Sequence, residues 1–255
     1  MHLHLPKPLH GWREFAGEVG IIVVGVLIAL GAEQVVEAVR WQHEAAQAQD
    51  SLRDEIGDHY FTASEIVMAQ PCIDQQLATL ERLLLKPGAY VPAPSYHTAL
   101  GDFPYRAPTR VWADNAWKSV SSDGTVQHLN GDLRLMLSSY YAQLAIMSEA
   151  NRATDLSWFR LRILSDPIQP DSTTRANLLQ QVEEARGRFS YMKLVGNQIL
   201  GSIDIMRMKP PSDLLASELS ESSTLQFCRQ HHLSIGRVEP DHTVRDGQES
   251  AARHQ

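Results

Sequence analysis

The uncharged run from Val19 to Ala32 (VGIIVVGVLIALGA) constrains this chain more than any other segment. Alone it is short for a bilayer, whose hydrocarbon core takes about 20 mostly apolar residues. Trp12 and Trp41 bracket it, and at the rise of an α-helix they stand roughly 43 Å apart. That matches the roughly 40–45 Å between headgroup regions, where tryptophan concentrates. The reading is one membrane-spanning helix over residues 15–39, with Glu18, Glu33 and Glu37 toward the two interfaces. Two other readings stay open. A cleaved secretory signal would use Lys7 and Arg13 ahead of the run and the small residues Ala29 and Gly31 before a cut at Ala32. A buried helix of a soluble protein is the third. Glu14 and Glu18 are unusual before a signal's apolar stretch, and the helical pattern runs on through Val35, Val36 and Val39.

Lys7 and Arg13 precede the span, whereas Arg40 is the one Lys or Arg close behind it. Counting those residues only, the bias favours a cytoplasmic N-terminal arm over residues 1–14 and an exported domain over residues 40–235. This predicts a bacterial inner-membrane protein with a periplasmic domain. The 255 residues, 43% hydrophobic and 21% charged, suit one globular domain plus an anchor. The net charge of −7, with no cluster of Lys and Arg, excludes a nucleic-acid partner from the expectations.

Beyond the anchor the spacing predicts an all-α chain: a transmembrane helix continuing as a stalk, then an antiparallel helical bundle. Leu52, Ile56, Tyr60, Ala63 and Val67 recur at helical intervals until Pro71, where the stalk is expected to end. Ile73, Leu77, Leu80 and Leu84 predict a second, shorter helix. Residues 87–108 carry five prolines and three tyrosines and predict a loop lying across the bundle. Stripes through Leu133, Leu137, Tyr140, Leu144 and Met147, and through Val182, Ala185, Phe189, Met192, Ile199 and Ile203, predict two long helices. A last helix is expected over residues 212–232, and a disordered polar tail over 236–255.

The phrase from Gly17 to Leu30 resembles the N-terminus of a bacterial family of single-span membrane proteins whose shared domain has no assigned function. The segment Trp117–Gly124, followed by the Leu133-Arg134 and Tyr140-Tyr141 pairs, is similar to that family's middle motif. The likeness covers the anchor and about thirty residues of the middle. It implies a tethered helical domain and brings no activity, cofactor or catalytic residue.

Several patterns invite chemistry. Ser190 and Lys193 have Ser-x-x-Lys spacing, but the companion motifs of penicillin-binding enzymes are missing or reversed and no sheet is predicted. Glu55 with His59, and His128 with Asp132, sit one turn apart and could each offer two metal ligands, whereas zinc needs three or four. No catalytic residue, metal set or cofactor is therefore expected. Trp112, Trp117 and Tyr105 could line a small-molecule pocket or simply pack beneath the long loop. Gly20, Gly25 and Ala29, with Ala16, supply small-xxx-small pairs for weak homodimerisation within the bilayer. Cys72 and Cys228 would both lie on the oxidising side and are expected to form a disulfide; separate buried thiols or an intermolecular bridge are the alternatives. The function that fits best is a membrane-tethered interaction or scaffolding protein with an unidentified protein partner. A periplasmic small-molecule sensor comes second and an enzyme third.

Overall fold

A computed structural model describes residues 12–101 and 103–238. Among them the chain is helical with no strand; a single antiparallel bridge joins Val91 to Ile168. Helix α1 runs unbroken from Trp12 to Leu85. Its N-terminal part is long and apolar enough to cross a membrane. From Val19 to Val39 its large apolar side chains are 40–76% exposed, so no protein covers them. The first buried side chain is Ala45, one turn past Trp41. The arm's residues 1–11, with His2, His4 and His10, lie outside the described residues.

Pro71 does not end the helix, which corrects the expected break into a stalk and a second helix. The buried stripe stays in phase across it: Ile66, Ile73, Leu77, Leu80 and Leu84 are all 2% exposed or less, at helical spacing. Stopping at Pro71 would turn the later residues out of the core, where burying each leucine or isoleucine stabilises by about 1.5–3 kcal/mol. Proline lacks the N–H that the Val67 carbonyl would accept and crowds that turn. Gly236, brought back from the C-terminal segment, donates its N–H to the adjacent Met68 carbonyl at 2.8 Å. A Cβ at Gly236 would stand 3.2 Å from the Val67 oxygen, so only glycine reaches this place without displacement. Gly236 thus belongs to the ordered domain, not to the tail; residues 239–255 lie outside the described residues.

Two more long helices complete the bundle: α2, in order, is a single turn at His97–Leu100, α3 spans Asn115–Ser122, α4 Gly131–Arg160 and α5 Ser172–Met206. Asn130 caps α4 by accepting from the Asp132 and Leu133 N–H groups, and Asp171 caps α5 through Thr174. Helix α5 runs antiparallel to α1, as the Arg175 bond to Leu84 O and the Gly196 contact with Val67 show. Helix α4 is parallel to α1, pairing His128 with Trp41 just before its start and Tyr140 with His59 further along. The loop makes this possible by carrying the chain back down the bundle between α1 and α3. Gln76, fully buried, holds that loop by its backbone, accepting from Arg106 N at 2.6 Å and donating to Arg106 O at 3.1 Å.

The last predicted helix is two, α6 at Ser212–Glu221 and α7 at Ser223–Gln230. Ser222 breaks them because its hydroxyl has work outside the helix: it accepts from Leu225 N and donates to Glu65. Beyond it, Cys228 bonds Cys72 with an S–S distance of 2.08 Å and a Cα–Cα distance of 6.0 Å.

Candidate functional site

Three places on the domain gather chemistry. Nearest the bare apolar stretch of α1, α1, α3 and α4 enclose an aromatic and carboxylate cluster. Tyr141 donates its hydroxyl to Glu55 at 2.6 Å, and Glu55 also accepts from Ala116 N at 2.8 Å, holding the start of α3. His59 Nδ1 lies 2.7 Å from the Tyr140 hydroxyl. Burial pushes the His59 pKa below its ordinary value, against the opposing pull of Glu55, the Ala113 backbone, Asp58 and Asp114. Burial likewise raises the Tyr141 hydroxyl far out of range, helped by its bond to Glu55. Trp117 stacks on Tyr141 at 4.9 Å with planes 7° apart, and Trp112 packs against His59 at 5.7 Å. Glu55 and His59, weighed in sequence as a ligand pair, are thus each engaged by a tyrosine of α4. Tyr105, grouped with the two tryptophans in sequence, lies elsewhere: it is fully buried edge-on to Phe189 of α5.

The second place centres on Glu65, whose side chain has no exposure. Arg110 approaches it with both arms, Nε to Oε2 at 2.6 Å and Nη2 to Oε1 at 3.0 Å, while Ser222 donates to Oε1 at 2.5 Å. The bond to Glu65 holds the Arg110 pKa above its already high ordinary value, against the cost of burial. Beside this pair a small cavity of about 120 Å³ is lined by Glu65, Arg106, Arg110, Ser223, Thr224 and Trp158, among others. Arg106 donates from Nη2 to the Ser223 hydroxyl at 2.6 Å, and its Nε is buried with no partner. None of these residues stood out in the sequence. One signal was there: Glu65 falls in phase with Ala69, Cys72 and Gln76 on a buried face, and an acid in such a stripe needs a cation.

The third place is a groove of about 720 Å³ on the outer face of α4 and α5. Its floor is made of small side chains, Ala145, Ala150, Ala153 and Gly187, with Ile146 and Tyr191 standing 49% and 46% exposed. Glu149, Glu184 and Arg188 form the polar margin. Arg188 crosses from α5 to bond the Ala153 carbonyl and the Ser157 hydroxyl of α4, closing the two helices together.

The other residues singled out in sequence are placed as follows. Ser190 is exposed, Lys193 half-buried and Met192 between them 1% exposed. His128 stacks on Trp41 at 4.0 Å, and His231 packs its ring on Phe227 at the end of α7. Gly20, Gly25 and Ala29 lie on the bare stretch of α1, with nothing within 4 Å of a Cβ built at either glycine. Five residues turn a helix through about 500°, which leaves Gly20 and Gly25 roughly 140° apart. A single helix crossing therefore uses one small-residue pair, not both.

No protein-family profile, curated protein sequence or solved structure matches this chain.

Proposed function

We propose that this chain is a membrane-tethered interaction module of a bacterial inner membrane, with the segment before the span in the cytoplasm and the helical domain in the periplasm. Kinship with the single-span bacterial family is part of this reading, as is an unidentified protein partner. The observation that carries it is the α4–α5 groove. Three long helices make the bundle, and α3, α6 and α7 pack against α1, while the outer seam of α4 and α5 is left open with an apolar floor. Ala145, Ala150, Ala153 and Gly187 let another backbone approach closely, and Leu156 and Leu194, 59% and 56% exposed, lie one turn further along the same helices. A partner helix presenting an apolar stripe suits that surface. The Lys and Arg bias supports the orientation, and a disulfide suits an oxidising compartment.

A photo-crosslinking side chain at Ile146 or Tyr191 in living cells tests this. The reading expects one adduct of defined mass at both positions, abolished by Ala153→Glu on the floor and absent from Leu214, exposed on α6. Equal, diffuse labelling at all three positions, or none, would overturn it.

A further inference from the structure

We propose that the α4–α5 groove pairs with the same groove of a second copy of this chain, the two copies standing side by side in one membrane. This pairing rests on the tethered docking reading above and names its partner.

Symmetry comes first. Two copies anchored through α1 in the same bilayer share one orientation, so the two-fold axis relating them runs along the membrane normal. Helices α4 and α5 lie along α1, and therefore along that axis. Groove brought onto groove about such an axis makes a four-helix arrangement, with α4 of each copy against the antiparallel α5 of the other. Height matches without adjustment. One unbroken helix, α1, carries each groove roughly 40 Å above Trp41, and a second copy holds its own groove at the same level.

The register follows from bonds within one copy. Gln143 meets Ser202 at 3.1 Å and Thr154 meets Met192 at 3.2 Å, which fixes the residues of α4 and α5 that share a height. An axis along the helices preserves those heights, so the facing positions of the two copies are set. Tyr191, exposed at the groove, comes level with Ala153 of the second copy. Leu156 comes within about 3 Å of the level of Gly187 of the second copy, where the groove wall has no side chain. Ile205, exposed near the end of α5, comes level with Ser139 of the second copy. At all three places a large side chain meets a small one.

Charge agrees with size. Arg160 is exposed two turns past Ala153 on the same face of α4, and it pairs with no carboxylate among the described residues. Level with it is Glu184 of the second copy, on the groove margin. Within its own copy Glu184 has only a loose ion pair, 3.8 Å from an Arg188 already bonded to Ala153 O and Ser157. The Arg160–Glu184 pair forms twice, once on each side of the axis. Glu149, which comes near Leu194 of the second copy, is balanced on its own helix by Arg152 at 3.4 Å.

No residue lining the groove belongs to α1, so this pairing keeps the two α1 helices apart. At helix spacings of 8–10 Å they stand roughly 25 Å from each other at the level of the domain. Contact between the spans through Gly25 is thus a separate event.

Photo-crosslinking at Tyr191, in cells that co-express two differently tagged copies of the full chain, tests the proposal. The expected adduct has twice the mass of the chain and carries both tags. Arg160→Glu alone and Glu184→Arg alone should each lower it at least about fivefold, because each sets like charges against one another at both contacts. Co-expressing one variant with the other should restore it to within about twofold, since both contacts are again of opposite charge. Gly25→Ile should leave it unchanged. If a charge variant loses its helical signal, Ala153→Glu carries the test, with a loss of at least about fivefold. A defined adduct of another mass bearing one tag would overturn self-pairing and leave the docking groove standing; no defined adduct would overturn both. A doubled adduct lost with Gly25→Ile but indifferent to Ala153→Glu, or folded charge variants that fail to pair when mixed, would overturn self-pairing through the groove.

Discussion

A carboxylate with no exposure stays charged only if its partners replace water, and Glu65 depends on Arg110 and Ser222 for that. The two partners are unequal: Arg110 is 35% exposed and can turn to solvent, whereas Glu65 cannot. Arg110→Met should therefore lower stability by about 3–5 kcal/mol, because it strands a buried charge. Glu65→Gln should cost clearly less. Urea melts of the two variants decide it, and the reverse order would refute the assignment of Glu65 as the trapped partner. His59 gives a second test. Its pKa is below 6.5 in the folded state, so the unfolded chain binds the extra proton first as pH falls. The stability this contributes is complete above about pH 6.5 and is lost below it, down to the folded pKa. His59→Gln should flatten the fall in melting temperature between about pH 7 and pH 5. A slope unchanged from the parent chain would show that other groups set it. Glu55 and His59 were visible in the sequence as an acid–histidine pair, but their tyrosine partners lie more than 80 positions away and no local spacing shows such contacts.

At the scale of elements, helix α1 depends on a segment more than 160 positions distant. Gly236 covers the carbonyls that Pro71 disturbs, and the disulfide one residue after Pro71 holds that segment in place. Gly236→Ala should destabilise by about 1–3 kcal/mol, since its Cβ would stand 3.2 Å from the Val67 oxygen and 3.4 Å from the Pro71 ring. Gly57→Ala, inside α1 and with Pro210 4.0 Å away as its nearest neighbour, should instead stabilise by about 0.5–1 kcal/mol through helix propensity. Thermal melts that show both substitutions moving stability the same way would contradict this. The stripes that became α4 and α5 were legible because each buries one face along its whole length. The passage through Pro71 and the break at Ser222 were not, because both are decided by distant partners, Gly236 and Glu65. The clasp of Cys72 to Cys228 was legible because the chain has two cysteines and both fall on the side of the apolar stretch expected to be exported.

The whole molecule is one covalent and helical continuity, from a bare apolar stretch through α1 to a domain closed by its disulfide. The bundle buries its own polar clusters and leaves the α4–α5 seam open, so the proposed partner would be met on the outside of the domain rather than in a cleft through it. Closing a loop across 156 positions restricts the unfolded chain by about 5 kcal/mol in the entropic treatment, which makes oxidation state a strong determinant of the folded population. The most direct measurement is the intact mass of chain extracted from carbonate-washed membranes and alkylated under denaturing, non-reducing conditions. The uncleaved chain is expected in the membrane pellet with no alkyl group added. A chain beginning at Ala32 in the wash, or two alkylated thiols on the membrane-bound chain, would contradict the tethered, exported domain.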